Sequence, residues 1–111
     1  MIVEVRTYAI KPGLRARFVE LFERRTRPLQ EKLGIAIAGP WLDLDDADRF
    51  VWLRGFPSLQ ARETMKRALY EGPEWTGELE ATMMPMLADF SSTLVEIVDR
   101  EAARLFPSLE R

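Results

Sequence analysis

The sequence predicts an α+β fold of ferredoxin-like βαββαβ order. One four-stranded antiparallel sheet carries its helices on a single face, and two copies pair through the other face into a dimeric α+β barrel. Three observations carry this expectation. Residues 2–10 and 50–56 alternate in character as strands do. Apolar residues recur at helical spacing over 13–33 and again after Pro57. Gly72-Pro73 then breaks the second helical segment in two.

The first strand sets Val3, Val5, Thr7 and Ala9 on one face and Glu4, Arg6 and Tyr8 on the other. Lys11-Pro12-Gly13 turns the chain into a helix whose stripe is Leu14, Phe18, Leu21, Phe22, Leu29 and Leu33. Pro28 is expected to kink it, and Gly34 to stop it. A second strand over 35–44 holds Gly39-Pro40, which marks a bulge or a sheet edge. Asp43, Asp45, Asp46 and Asp48 read as a solvated hairpin loop, since the turn glycine and closing glutamate of a calcium loop are missing.

The third strand, 50–56, alternates Val51, Leu53 and Gly55 with Phe50, Trp52, Arg54 and Phe56. Pro57-Ser58 starts a helix with Leu59, Met65, Ala68 and Leu69 inward and Arg62, Lys66 and Arg67 on a solvated face. Trp75, Leu79, Met83 and Met86 form the next stripe, and a fourth strand runs over 90–98. The domain is therefore expected over 1–99. Residues 100–111 form an extension whose Ala102, Leu105, Phe106 and Leu109 are expected to clamp the partner subunit.

Composition excludes several functions. The 111 residues suit one domain, with 47% hydrophobic and 31% charged residues in the globular range. A formal charge of −2 gives no basic field for nucleic acid. Without cysteine or histidine there is no disulfide, no thiolate or imidazole metal site and no Ser-His or Cys-His catalysis. No metal and no cofactor is expected. No apolar run reaches membrane length, and the opening strand is not a signal peptide, so the expected location is the cytoplasm.

Charge suggests which sheet face is which. Val3, Val5, Val51, Leu53, Val95 and Ile97 form a wholly apolar set suited to the helices. Glu4, Arg6, Arg54 and Glu96 beside Tyr8, Phe50, Trp52, Phe56 and Leu94 form the face expected at the sheet-sheet contact. Two readings stay open there. One is a structural lattice of ion pairs. The other is a cavity in which Arg6, Arg54 and Tyr8 recognise an anionic or carbonyl-bearing molecule while Trp52 and Phe56 stack on its apolar part, with Tyr70 and Trp75 at the mouth.

The segment FVWLRGFPSLQAR, the YEGPEW turn and the opening VEVRTYAIKPG resemble the NIPSNAP family from residue 3 to about 98. The resemblance implies the dimeric α+β barrel superfamily, which also holds cofactor-independent monooxygenases, lactone isomerases and haem-dependent enzymes, so fold alone leaves function open. Many bacterial relatives place a histidine after the turn tryptophan, where this chain has Thr76. The expected function is binding of a small apolar or aromatic molecule by a homodimer. The alternatives are a cofactor-independent monooxygenase or isomerase, with Glu4 raised by burial as base and Arg6, Tyr8 and Arg54 as further catalytic candidates, and a protein-interaction module without ligand.

Overall fold

A computed structural model describes residues 1–109. β1 (Ile2–Ile10) leads through a glycine turn to α1 (Arg15–Leu21), a π-helical turn (Phe22–Thr26) and α2 (Arg27–Lys32). β2 (Ala36–Leu42) and β3 (Arg49–Phe56) form a hairpin, followed by α3 (Leu59–Tyr70), a second π-helical turn (Trp75–Leu79) and α4 (Glu80–Met83). A 3-10 turn (Met84–Met86) then enters β4 (Leu87–Glu96), and α5 (Arg100–Ala103) with a last 3-10 turn (Pro107–Leu109) completes the described chain. The strands are all antiparallel in the order β2-β3-β1-β4, which is the ferredoxin-like arrangement.

Local chemistry accounts for the boundaries. Pro28 lacks the N–H that would bond to residue 24, and its ring crowds that turn, so the helix widens over Phe22–Thr26 before restarting at α2. Gly34, at φ +90°, ends α2 in the left-handed region, where the Ile35 N–H reaches back to the Gln30 carbonyl at 3.0 Å. Ser58 caps α3 by accepting from the Ala61 N–H at 3.0 Å. Gly39-Pro40 shifts the register of edge strand β2 between Ala38 and Trp41. The fourth strand begins three residues earlier than the sequence pattern suggests.

The two sheet faces are the reverse of the expected assignment. Tyr8, Phe50 and Trp52 face the helices and form the main core with Phe18, Leu21, Phe22, Leu79 and Met83. Phe18 and Phe22 meet Phe50 edge-on at 5.0 and 5.1 Å, and Phe22 meets Trp52 at 4.9 Å. Rings this large bridge the sheet and helix layers, which the short β-branched side chains cannot do. Phe56 joins a second cluster with Ile35 and Leu69. The apolar set turns away from the helices: Val3 is buried with Ala36, Ala38 and Phe106, while Val5, Val51 and Leu53 are half-buried. Charge misleads here because the charged side chains of the sheet find partners beneath α3.

No helix among the described residues is long and apolar enough to cross a membrane. The facing predicts unequal losses on truncation. Phe50→Ala is expected to lower unfolding free energy by about 3–5 kcal/mol, and Val51→Ala on the opposite face by about 1 kcal/mol, read from urea midpoints. Equal losses would contradict this arrangement.

Candidate functional site

Register brings the charged residues of the sheet together. Glu4 pairs with Arg54 on β3 and Leu94 on β4, and Arg6 with Trp52 and Ser92, so all share the helix-facing side. Glu4 is fully buried, at 0% exposure. Its Oε1 accepts from Arg6 Nη1 and Arg54 Nε, both at 2.8 Å. Its Oε2 accepts from Arg62 Nε at 2.7 Å, and Lys66 Nζ lies 3.2 Å away.

The helix supplies the upper half of this cluster. Arg62, Lys66 and Tyr70 recur every four residues on α3, so they share one face. That face turns to the sheet, and the expectation that Arg62 and Lys66 are solvated is corrected: both are half-buried on Glu4. Arg54, 1% exposed, also donates to Gln30 Oε1 at 3.0 Å and to the Tyr70 hydroxyl at 2.9 Å. Four cations therefore converge on one carboxylate, with Glu63 reaching only Arg62 from the solvent side.

Burial by itself pushes the Glu4 carboxyl up, but the charge of Arg54, hydrogen bonds from Arg62 and Arg54 and the charge of Arg6 outweigh it and hold the group at about 2. This corrects the expectation of a base raised towards neutrality. Glu4 is a fixed anion that holds guanidinium groups in place. Burial raises the Tyr8 hydroxyl above its ordinary value against the opposing charge of Arg6, so Tyr8 stays protonated.

Beside this cluster lies a cleft of about 290 Å3, walled by Arg6, Tyr8, Tyr70, Trp75, Met84 and Phe90, with Glu80 and Leu87 completing it. It gathers four of the seven residues expected to bind a ligand. Trp52 lies deeper, in a chamber of about 40 Å3 that shares the walls Tyr8, Trp75, Met84 and Leu87 with the cleft. Arg54 stays behind the cleft with Glu4, and Phe56 belongs to another part of the core. A larger hollow, about 400 Å3, lies between residues 34–37 and the last 3-10 turn. It is lined by none of the candidate residues.

The hydrogen-bonding capacity of the cleft is mainly donating. Arg6 Nε donates to the Tyr8 hydroxyl at 3.0 Å and its Nη1 to Glu4 and Ser92, which leaves Nη2 without a hydrogen bond among the described residues. Tyr8 and Tyr70 each accept from an arginine, so each retains an O–H proton to give. Trp75 Nε1 donates to Glu80 at 3.3 Å, and the Trp75 ring meets Tyr70 edge-on at 5.4 Å. Phe90 and Glu80 are wall residues that the sequence reading missed. The pairing of Phe90 with Tyr8 follows only from the β1-β4 register.

The sign of the Glu4 shift sets its pH dependence. Since the carboxyl is depressed from 4.5 to about 2, its stabilising contribution is complete above 4.5 and is lost as the pH falls towards 2. Acid unfolding followed by circular dichroism is expected within that window. Glu4→Gln leaves buried arginines without a counter-charge, is expected to lower stability near neutral pH by about 3–5 kcal/mol, and should flatten the acid limb.

Comparison with known proteins places this geometry. No curated protein matches the sequence. Among solved structures, an uncharacterized NIPSNAP domain protein from Burkholderia xenovorans superposes with a TM-score of 0.80 at 19% identity, covering 90% of this chain and 97% of its own. A NIPSNAP family protein from Agrobacterium tumefaciens gives 0.78 at 21% identity, over 89% and 87%. A structure described as an antibiotic biosynthesis monooxygenase gives 0.63 at 19% identity, over 89% of this chain and all of its own, a likeness of fold. The NIPSNAP family model matches residues 3–100, and the chain belongs to the NIPSNAP family.

Proposed function

We propose that the cleft binds a small aromatic molecule carrying a carboxylate or comparable anionic oxygen. One observation carries this reading: Arg6, 9% exposed and fixed by Glu4, lines an aromatic-walled cleft with its Nη2 free of hydrogen bonds among the described residues, and the Tyr8 and Tyr70 hydroxyls on the same wall are further donors, against the single carboxylate of Glu80. Four cations around one carboxylate leave positive charge for a ligand to offset. Trp75 and Phe90 supply faces for its ring.

The same donors would stabilise an enolate, so a second reading is cofactor-independent oxygenation or isomerisation of an enolisable aromatic. Its support is the fold shared with the antibiotic biosynthesis monooxygenase structure and the carboxylate of Glu80 on the wall, while neither Glu4 nor Tyr8 serves as a base near neutral pH. Binding is the reading the groups support better.

The test is titration with 1-naphthoate and with neutral 1-naphthalenemethanol. The acid is expected to bind more tightly, and Arg6→Gln to weaken it at least about tenfold while leaving the alcohol unchanged, as loss of a charge-assisted hydrogen bond requires. Equal binding of acid and alcohol would overturn the anion reading. Oxygen uptake with hydroquinone substrates, abolished in Glu80→Gln, would replace binding with catalysis.

The open side of the sheet supports a homodimer, in the cytoplasm given the absence of cysteine. Its centre carries no charge, with Val5, Val51 and Leu53 half-buried, Trp41 46% exposed and Val95 37% exposed. A second copy presents the same uncharged surface about a two-fold axis, and the C-terminal extension, whose described residues 100–109 lie beside that surface, would meet the partner. Sedimentation is expected to give twice 12.9 kDa, and Val95→Glu to give the monomer. A wild-type monomer would contradict the pairing.

A further inference from the structure

Among the described residues, Trp52 Nε1 is the one buried side-chain nitrogen or oxygen with no hydrogen-bond partner. Trp52 is 2% exposed and lines the inner chamber, and a buried indole N–H ordinarily finds an acceptor. Both π-helical turns shape this chamber, the first through Phe22 and Thr26 and the second through Trp75. Such turns are frequent where a helix is adapted to a site. Thr26, on the same wall, does not accept from it, and its own hydroxyl donates to the Met83 sulfur at 2.9 Å.

Chamber and cleft share Tyr8, Trp75, Met84 and Leu87 as walls, so they lie side by side with these residues between them. Met84, 40% exposed, is a flexible thioether that can swing aside. We propose, resting on the anion reading of the cleft, that the ligand extends past Met84 and places an uncharged carbonyl oxygen on Trp52 Nε1. The ligand class is then an aromatic carboxylate bearing a ketone or similar acyl group. The chamber of about 40 Å3 has room for about three water-sized groups, which suits an acetyl tip. A second charge would lose its water among Phe18, Phe22 and Met83, and no charged residue lines the chamber.

The experiment compares 2-, 3- and 4-acetylbenzoate with the matching ethylbenzoates, which keep the shape and lack the oxygen. At least one acetyl compound is expected to bind about tenfold or more tightly than its ethyl partner, because a site built to donate a hydrogen bond rejects an analogue that leaves the donor unpaired. Trp52→Phe should bring that ratio to about one while the ethylbenzoates keep their affinity, and Arg6→Gln should weaken both series equally. In the wild type the Trp52 indole N–H resonance should move downfield with the acetyl compound and not with the ethyl one. Equal binding within every pair, a ratio that survives Trp52→Phe, or an unmoved indole resonance would overturn this inference and leave the anion reading standing. Failure of every benzoate to bind the wild type would overturn both.

Discussion

A single buried carboxylate, Glu4, is the constraint on which this architecture depends. It ties β1 to β3 through Arg54 and ties the sheet to α3 through Arg62 and Lys66. Gln30 extends the network to α2 by accepting from Arg54. Burying five charges opposes folding unless geometry is good and remaining donors are satisfied. Here the distances, 2.7 to 3.2 Å, and the additional acceptors Tyr8, Tyr70, Gln30 and Ser92 meet that condition. Replacing the cluster with apolar residues would suit the core as well. What it adds is a rigid guanidinium at a defined place in the wall of a cleft.

That rigidity has a functional meaning. An arginine on a mobile surface stem loses rotamer freedom when it captures an anion, whereas Arg6 is already held by Glu4, Tyr8 and Ser92. Its guanidinium also lies 5.6 Å from the Trp52 ring, and that of Arg54 lies 5.4 Å away, so the indole is set between two cations. Charge, ring and donor are already in place for the ligand proposed above.

The element order was legible because strands and helices differ in period, and the strands, the stripe over 13–33 and the Ser58 start follow from it, while Leu59 and Ala68, expected inward on α3, are exposed. Membership of the NIPSNAP family was legible in FVWLRGF and YEGPEW. The facing of the sheet was not. Period two separates Tyr8 and Trp52 from Val5 and Leu53 but does not say which set meets the helices, and the rule that charge marks the wet side fails when charges find partners under α3. Arg62, Lys66 and Tyr70 did carry a signal, their spacing of four, which three sheet charges of matching size made meaningful. Phe90 and Glu80 lay beyond reach, since only strand register and a helix corner bring them to Arg6.

One glycine has a wider effect than its size suggests. A side-chain carbon on Gly55 would come within 3.2 Å of the Phe106 ring and 3.3 Å of Leu109, so the last turn of the described chain seats on a bare position near the end of β3. The last turn thus acts as a cork in a socket cut into the sheet itself. An alanine at that position would press the cork outwards by a few tenths of an ångström and so alter the shape of the surface offered to another molecule, without touching the cleft on the opposite side.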